Sequence, residues 1–330
     1  MNEQETLLSI KNLKTYFVNE DQVLKAVDDV SFDVKRGETL GIVGESGCGK
    51  SISCMSILKL VQSPNVRYEG GEILFEGKNT LKMTEKELRK LRGKEISVIF
   101  QEPMTALNPL YTVGDQMMEA LKIHKKLSTK NAREKCVEYL EKVKIPMPKE
   151  MLNRYPFSLS GGMRQRVMIA MALITNPKLI IADEPTTALD VTIQAQILDL
   201  MNALKDVTGS SCIFITHDLG VISEMADRVV VMYGGKVCEV ADTDVLFEHA
   251  MHPYTQGLIH SRPTSDYDGD RLQVIPGNVP SLNDKPAGCP FHPRCPYASK
   301  QCGEAFPPER VYPDGHRVSC WKYCNASEVQ

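Results

Sequence analysis

Apolar positions along this chain keep one spacing for a while and then change it, and each change marks an element. The stretches "SIKNLKTYFV" and "KAVDDVSFDVKRGETLGIVGE" alternate β-branched and aromatic residues with polar turns, which predicts an antiparallel lead-in to a buried strand. "KSISCMSILKLVQ" then repeats apolar residues at helical spacing. A strand pair in "GGEILFEGKNTL" precedes the charged helix "TEKELRKLRGK" and the strand "ISVIFQE". From about residue 103 to 162 the pattern turns helical, with "VGDQMMEALKIH" and "NAREKCVEYLEKVKI" as its amphipathic pieces. Beyond it, helix "RQRVMIAMALITN", strand "KLIIADE", helix "TIQAQILDLMNALKDVTG", strand "SCIFITHD" and hairpin "RVVVMYGGKVCEV" alternate in the βαβ manner. This order predicts an α/β fold, a parallel sheet covered by helices with an antiparallel lead-in and a helical insertion. After about Met251 the chain is rich in proline and cysteine and loses periodicity, as a separate C-terminal region would.

Composition narrows the picture. The 330 residues allow one large α/β domain with an addition. A formal net charge of −3 gives no global positive field to draw the chain to nucleic acid or anionic lipid. The N-terminus "MNEQETLLSIKNLK" has acids where a signal peptide carries bases, and no apolar run reaches membrane-spanning length, so a cytoplasmic chain is expected. Five of the ten cysteines crowd into the last 42 residues, and in a reducing compartment such a cluster points to metal before disulfides.

The first candidate chemistry follows the strand "TLGIV". Gly44, Gly49, Lys50 and Ser51 fit G-x-x-x-x-G-K-[ST], placed after a strand and opening a helix as that motif requires. Its glycines let backbone N–H groups curl around phosphate oxygens, and Ser46, Gly47, Cys48 and Ile52 complete the loop. Lys50 would reach the β and γ phosphates and Ser51 would ligate Mg²⁺. A phosphate loop needs a carboxylate on a neighbouring strand. "KLIIADEP" supplies Asp183 for Mg²⁺ and Glu184 as the base that polarises the attacking water.

At "LSGGMRQR", Leu159 to Arg166, the chain resembles the ATP-binding cassette ATPases. That family orders a phosphate loop, a glutamine loop, this signature, an acidic strand, a D-loop and a switch histidine. Gln101, Ser160 to Gly162, Asp183 with Glu184, "ALD" ending at Asp190, and His217 stand in that order here, over residues 1 to about 255. The resemblance implies a P-loop NTPase core of the RecA type and ATP sandwiched between the loop of one subunit and the signature of its partner. It makes Glu184, His217, Lys50 and Gln101 catalytic. Gln101 would sense γ-phosphate or Mg²⁺, and His217 would hydrogen-bond γ-phosphate. Adenine would stack on Phe17, with Tyr16 as second choice.

The tail spaces Cys289, Cys295, Cys302 and Cys320 as C-x5-C-x6-C-x17-C among prolines. Thiolates converging in a segment too short for its own core suggest metal. Zinc sites usually show close C-x-x-C pairs, absent here, whereas an iron–sulfur cluster accepts wider spacing, and both remain open on the residues alone. "HPYTQGL" (His252 to Leu258) and "FHPRCPYA" resemble the dipeptide and oligopeptide importer ATPases, whose cysteine-bearing extension implies a [4Fe-4S] cluster on these four cysteines, with Cys324 and His292 in reserve. The resemblance thus implies a cassette over 1–255 and an extension over 256–330, acting as the ATP-hydrolysing motor of a peptide importer on the inner face of the cell membrane. Its implied partners are a second, distinct cassette ATPase, two transmembrane permease subunits docking near "QEPMTALNPLYTVGDQM", and an external peptide-binding protein, with no nucleic acid. The alternatives are the same motor for nickel or another small solute, and a soluble cassette ATPase acting on nucleic acid or ribosomes.

Overall fold

The computed structural model describes residues 5–20, 22–102, 106–187, 189–261 and 274–324. Residues 103–105 of the expected permease-docking stretch, and Ala188 of "ALD", lie outside them. The strands run β1 (Thr6–Val18), β2 (Val23–Lys35), β3 (Thr39–Val43), β4 (Val66–Phe75), β5 (Lys78–Asn79), β6 (Ile96–Ile99), β7 (Leu179–Asp183), β8 (Ser211–Ile215), β9 (Arg228–Tyr233), β10 (Lys236–Asp242), β11 (Arg310–Val311) and β12 (Arg317–Val318). Two compact units divide them, one of residues 1–35, 39–82 and 216–330, the other of 36–38 and 83–215.

In the first unit an antiparallel sheet runs β2-β1-β4-β5. Val30, Phe32 and Val34 of β2 are buried while the residues between them are half-exposed, the alternation of a sheet with one covered face. β3 is buried along its whole length and pairs in parallel with β9, as a continuous apolar run should when both faces are covered. β9 turns back into β10 across Gly234 and Gly235, both at positive φ (54° and 77°), the combination that a tight two-residue hairpin needs.

The C-terminal region adds to this unit by means its sequence pattern did not suggest. β12 pairs antiparallel with β10, and β11 with β12. Strands of two residues carry no alternation, which is why the stretch reads as aperiodic. A buried carboxylate helps to tie the region down: Glu239 of β10, fully buried, accepts from Met251 N (2.6 Å), His252 N (2.9 Å) and His316 Nε2 (2.7 Å). A buried charge is tolerable only with such partners.

In the second unit β6, β7 and β8 form a parallel set, again as buried apolar runs. Five of its helices begin where a short polar side chain caps them. Thr84 and Glu87, and Thr112 and Asp115, form capping boxes for the helices Glu85–Leu91 and Val113–Lys125. Ser128 caps Thr129–Lys142, Ser160 caps Gly161–Leu173 and Asp190 caps Val191–Thr208. Val113, Met117, Met118 and Leu121 bury one stripe of their helix. Basic clusters here face acids: Arg89 and Arg92 pair with Glu85, and Lys135 and Lys142 with Glu138. No helix among the described residues is long and apolar enough to cross a membrane.

His252 gives the first unit a pH dependence. Its Nδ1 accepts the Tyr254 amide at 3.0 Å, capping the helix Pro253–His260. Burial lowers its pKa to about 4, the Glu239 carboxylate opposing only in part. The unfolded chain therefore binds a proton that the folded one refuses, and protonation would set a donor against the Tyr254 N–H. Stability should fall as pH drops from about 6.5 toward about 4. Thermal unfolding followed across that window should show this slope, and His252→Asn, which keeps a capping acceptor without the titration, should flatten it.

Candidate nucleotide-binding site

The phosphate loop leaves β3 in a conformation open to glycine alone at two positions. Gly44 has φ 151°, and a Cβ there would run into the Met232 carbonyl and the Cys48 sulfur. Gly49, at φ 98°, would place a Cβ 2.7 Å from the Ala26 carbonyl and begins the helix Lys50–Ser56. Backbone that approaches backbone this closely leaves a cradle without side chains, which suits a phosphate group. Ser46 and Gly47 are exposed at the loop tip, whereas Cys48 is buried and its thiol is pushed up by that burial, with the Lys50 charge opposing. Ser51 and Ile52 are half-exposed on the first turn.

Lys50 is 5% exposed and its ammonium folds back under its own loop, donating to the carbonyls of Gly44 (2.6 Å) and Glu45 (3.2 Å). The cation is thus held at the loop by oxygens that carry no formal charge. An anion entering the cradle meets an uncompensated positive charge. His217, in the same unit, is exposed just before Asp218, whose carboxylate caps the helix Leu219–Met225 through Gly220 N at 2.7 Å. Phe17 and Tyr16 are both half-buried on β1 and, as neighbours on a strand, face opposite sides. The Tyr16 hydroxyl donates to Asp28 at 2.6 Å, and Lys25 lies 5.7 Å from its ring centroid.

In the second unit the end of β7 carries Asp183, which is buried, and Glu184. Glu184 sits at φ 45°, a left-handed conformation uncommon for a residue with a side chain. Its N–H donates to Ile215 O, which fixes the turn. Its carboxylate accepts from Gln101 Nε2 at 3.0 Å and from the Thr187 hydroxyl at 3.0 Å. The structure therefore brings together Gln101 and Glu184, 83 residues apart, and adds Thr187 as an aligning donor that no motif spacing singled out.

The signature lies at the start of a 13-residue helix. Ser160 Oγ accepts from Met163 N at 3.3 Å, Gly161 faces open space, and Gly162 lies against Ile193. Ser160 and Gly161 are exposed, and so is Asp190, whose carboxylate takes Ile193 N at 2.9 Å. Further along, buried Gln165 donates to Pro185 O, tying the signature helix to the turn that carries Glu184.

The cysteine tail departs from expectation. Among the described residues, no group of three or more His, Cys, Asp or Glu side chains is placed to hold a metal ion, so the [4Fe-4S] cluster expected on Cys289, Cys295, Cys302 and Cys320 is not supported, and zinc fails on the same ground. The four cysteines do line one cavity of about 250 Å³, together with His292 and Trp321. Burial, first among the causes, pushes Cys289 to about 12 and Cys320 to about 11, and it raises Cys295 as well. Cys302 lies 3.3 Å from the Ser299 hydroxyl. The two reserve ligands are engaged elsewhere. Cys324 Sγ donates to Cys320 O, and His292 Nδ1 lies 2.9 Å from Cys289 O. Convergence in sequence thus yields a cysteine-lined hollow.

Comparison with known proteins agrees with the motif order. Residues 27–187 match the ABC transporter family, and residues 238–302 match the oligopeptide/dipeptide transporter C-terminal region. The chain is 51% identical over 318 residues to the oligopeptide transport ATP-binding protein AppD of Bacillus subtilis, covering 96% of this chain and 97% of that one. It is 46% identical over 314 residues to the dipeptide transport ATP-binding protein DppD of Escherichia coli, covering 95% and 96%. Among solved structures it resembles the dimeric cassette MJ0796 in a post-hydrolysis state with ADP and Pi. The TM-score is 0.64 at 29% identity, over 72% of this chain and 98% of that one. The chain accordingly belongs to the ATP-hydrolysing subunits of ABC transporters, in the branch that carries the oligopeptide/dipeptide C-terminal region.

Proposed function

We propose that this chain is the ATP-hydrolysing motor of an importer for di- and oligopeptides, peripheral on the inner face of the cell membrane. The match of residues 238–302 to the C-terminal region of oligopeptide and dipeptide transporters is the observation that carries the cargo class. A cassette of residues 1–255, with its helical part at about 103–162, hydrolyses ATP, and residues 256–330 form the extension. Two permease subunits dock on the helical part. Leu110 and Tyr111, 80% and 56% exposed beyond Gln101, support that surface, because large apolar side chains so open to water suit a partner. A second, homologous cassette and an external peptide-binding protein complete the complex.

ATP lies in the phosphate loop from Gly44 to Ile52, with adenine on Phe17 or Tyr16. Ser160, Gly161 and Gly162 of the partner cassette, with Asp190, close over its γ-phosphate. That Ser160, Gly161 and Asp190 stand open to solvent at helix starts supports such a sandwich. Ser51, Asp183 and Gln101 offer hydroxyl, carboxylate and amide oxygens, a donor set that suits Mg²⁺, and the ion would offset phosphate charge. Lys50 holds the γ-phosphate. Glu184, aligned by Gln101 and Thr187, accepts the proton of the attacking water, and His217 orders that water against the phosphate.

Glu184→Gln should keep ATP affinity within about twofold and lose turnover by at least about a hundredfold, with closed dimers accumulating on size-exclusion chromatography. Hydrolysis at the parent rate would refute the base assignment. The cargo is tested in cells lacking this chain, where uptake of labelled di- and tripeptides should fail while free amino-acid uptake continues. Intact peptide uptake with loss of nickel uptake would move the motor to another cargo.

A further inference from the structure

The phosphate loop "GESGCGKS" contains one acid, Glu45, in a place where charge of its sign opposes the triphosphate. Its carboxylate is gripped from the C-terminal region. Arg294, in the turn His292–Arg294, sets Nη1 2.7 Å from Glu45 Oε2 and Nη2 3.1 Å from Oε1, a fork-on-fork pair. The arginine side chain is 5% exposed, and its remaining donors are spent on fixing it: Nη1 to the Tyr233 hydroxyl (3.1 Å), Nη2 to Ile275 O (3.3 Å) and Nε to Pro276 O (2.8 Å). The backbone of the same loop residue is held as well. Glu45 N–H donates to the Tyr254 hydroxyl at 2.8 Å, and its carbonyl receives Lys50. Tyr254, Tyr233 and Phe291 then pack ring against ring at 4.7 to 5.2 Å, so the hydroxyl and the guanidinium stand on one rigid aromatic cluster.

We propose that Arg294 and Tyr254 are positioning residues of the nucleotide site. Arg294 neutralises the loop's carboxylate and draws it off the phosphate cradle, Tyr254 holds the backbone at Glu45, and the C-terminal extension is thereby a working part of the ATP site. Every polar group of Glu45 is occupied by this brace or by Lys50, which leaves the cradle itself to the glycines. A merely structural pair would stabilise the fold without regard to which charge remained on the loop. A pair that serves nucleotide binding makes affinity depend on the sign of that charge.

The inference rests on ATP binding at this loop, and the full-length parent measures that separately. Isothermal titration of MgATP and steady-state hydrolysis are compared for the parent, Arg294→Gln, Arg294→Lys, Glu45→Gln and the double variant Arg294→Gln with Glu45→Gln. Arg294→Gln should weaken ATP binding and raise KM roughly tenfold with kcat within about twofold, the order expected for one unpaired charge near the phosphates. Arg294→Lys, which keeps the charge without the fork, should fall between. Glu45→Gln should bind more tightly than the parent, and the double variant should return to within about twofold of it. Parent affinity in Arg294→Gln overturns the proposal, and so does a loss that the second substitution leaves unrelieved, whether or not the melting temperature falls. A parent that binds no ATP overturns the nucleotide site and the brace together.

Discussion

The backbone of the phosphate loop passes so close to neighbouring strands that a side chain on Gly44 would occupy the place of the Met232 carbonyl, and one on Gly49 would press on that of Ala26. Both contacts are made within the unit that holds β3, β9 and the lead-in. The cradle therefore exists only while β3 stays in register with β9, its partner from Leu40–Arg228 to Val43–Val231, and while β2 keeps Ala26 against the loop. Apolar burial along those strands supplies that constancy. Lys50, drawn beneath the loop by two carbonyls, keeps its charge at the cradle through a contact that an entering phosphate can outcompete.

The extension is bound into the same unit at two levels. Glu239 gathers two amides and His316 around one buried carboxylate and so fixes the start of the helix Pro253–His260 and the β11–β12 pair. The aromatic cluster of Tyr233, Tyr254 and Phe291 lies between that anchor and the phosphate loop. Phe291 also lines the cysteine cavity, which thus backs the aromatic cluster. Packing and hydrogen bonds hold the segment whose shortness suggested an inorganic staple.

Much of this was legible in the chain itself. The parallel strands declared themselves as uninterrupted apolar runs, the lead-in as alternation, and the helices as apolar residues at helical spacing, while their caps at Thr84, Thr112, Ser128, Ser160 and Asp190 emerged only in the structure. Gly44 to Ser51 was readable because the motif is local. Gln101 with Glu184 was readable as two motifs, though spacing could not say that their side chains touch, nor that Thr187 joins them. The Arg294–Glu45 pair spans 249 positions, and an arginine among prolines carries no sign of its partner. The tail misled for a related reason. Cysteine spacing records which thiols are near in sequence, whereas metal binding depends on where each sulfur is directed, and local partners such as the Ser299 hydroxyl for Cys302 and the Cys320 carbonyl for Cys324 help to set that direction.

Nucleotide binding depends on Lys50 at the cradle as the cation that takes the phosphates, and calorimetric titration of MgATP into the full-length chain and into Lys50→Ala tests this most directly. The parent should bind saturably and the variant should lose at least about tenfold in affinity, since a charge-assisted contact to phosphate is removed while the loop's glycines remain. Equal affinity in the two proteins would contradict it, and would place nucleotide recognition somewhere other than Gly44 to Ser51.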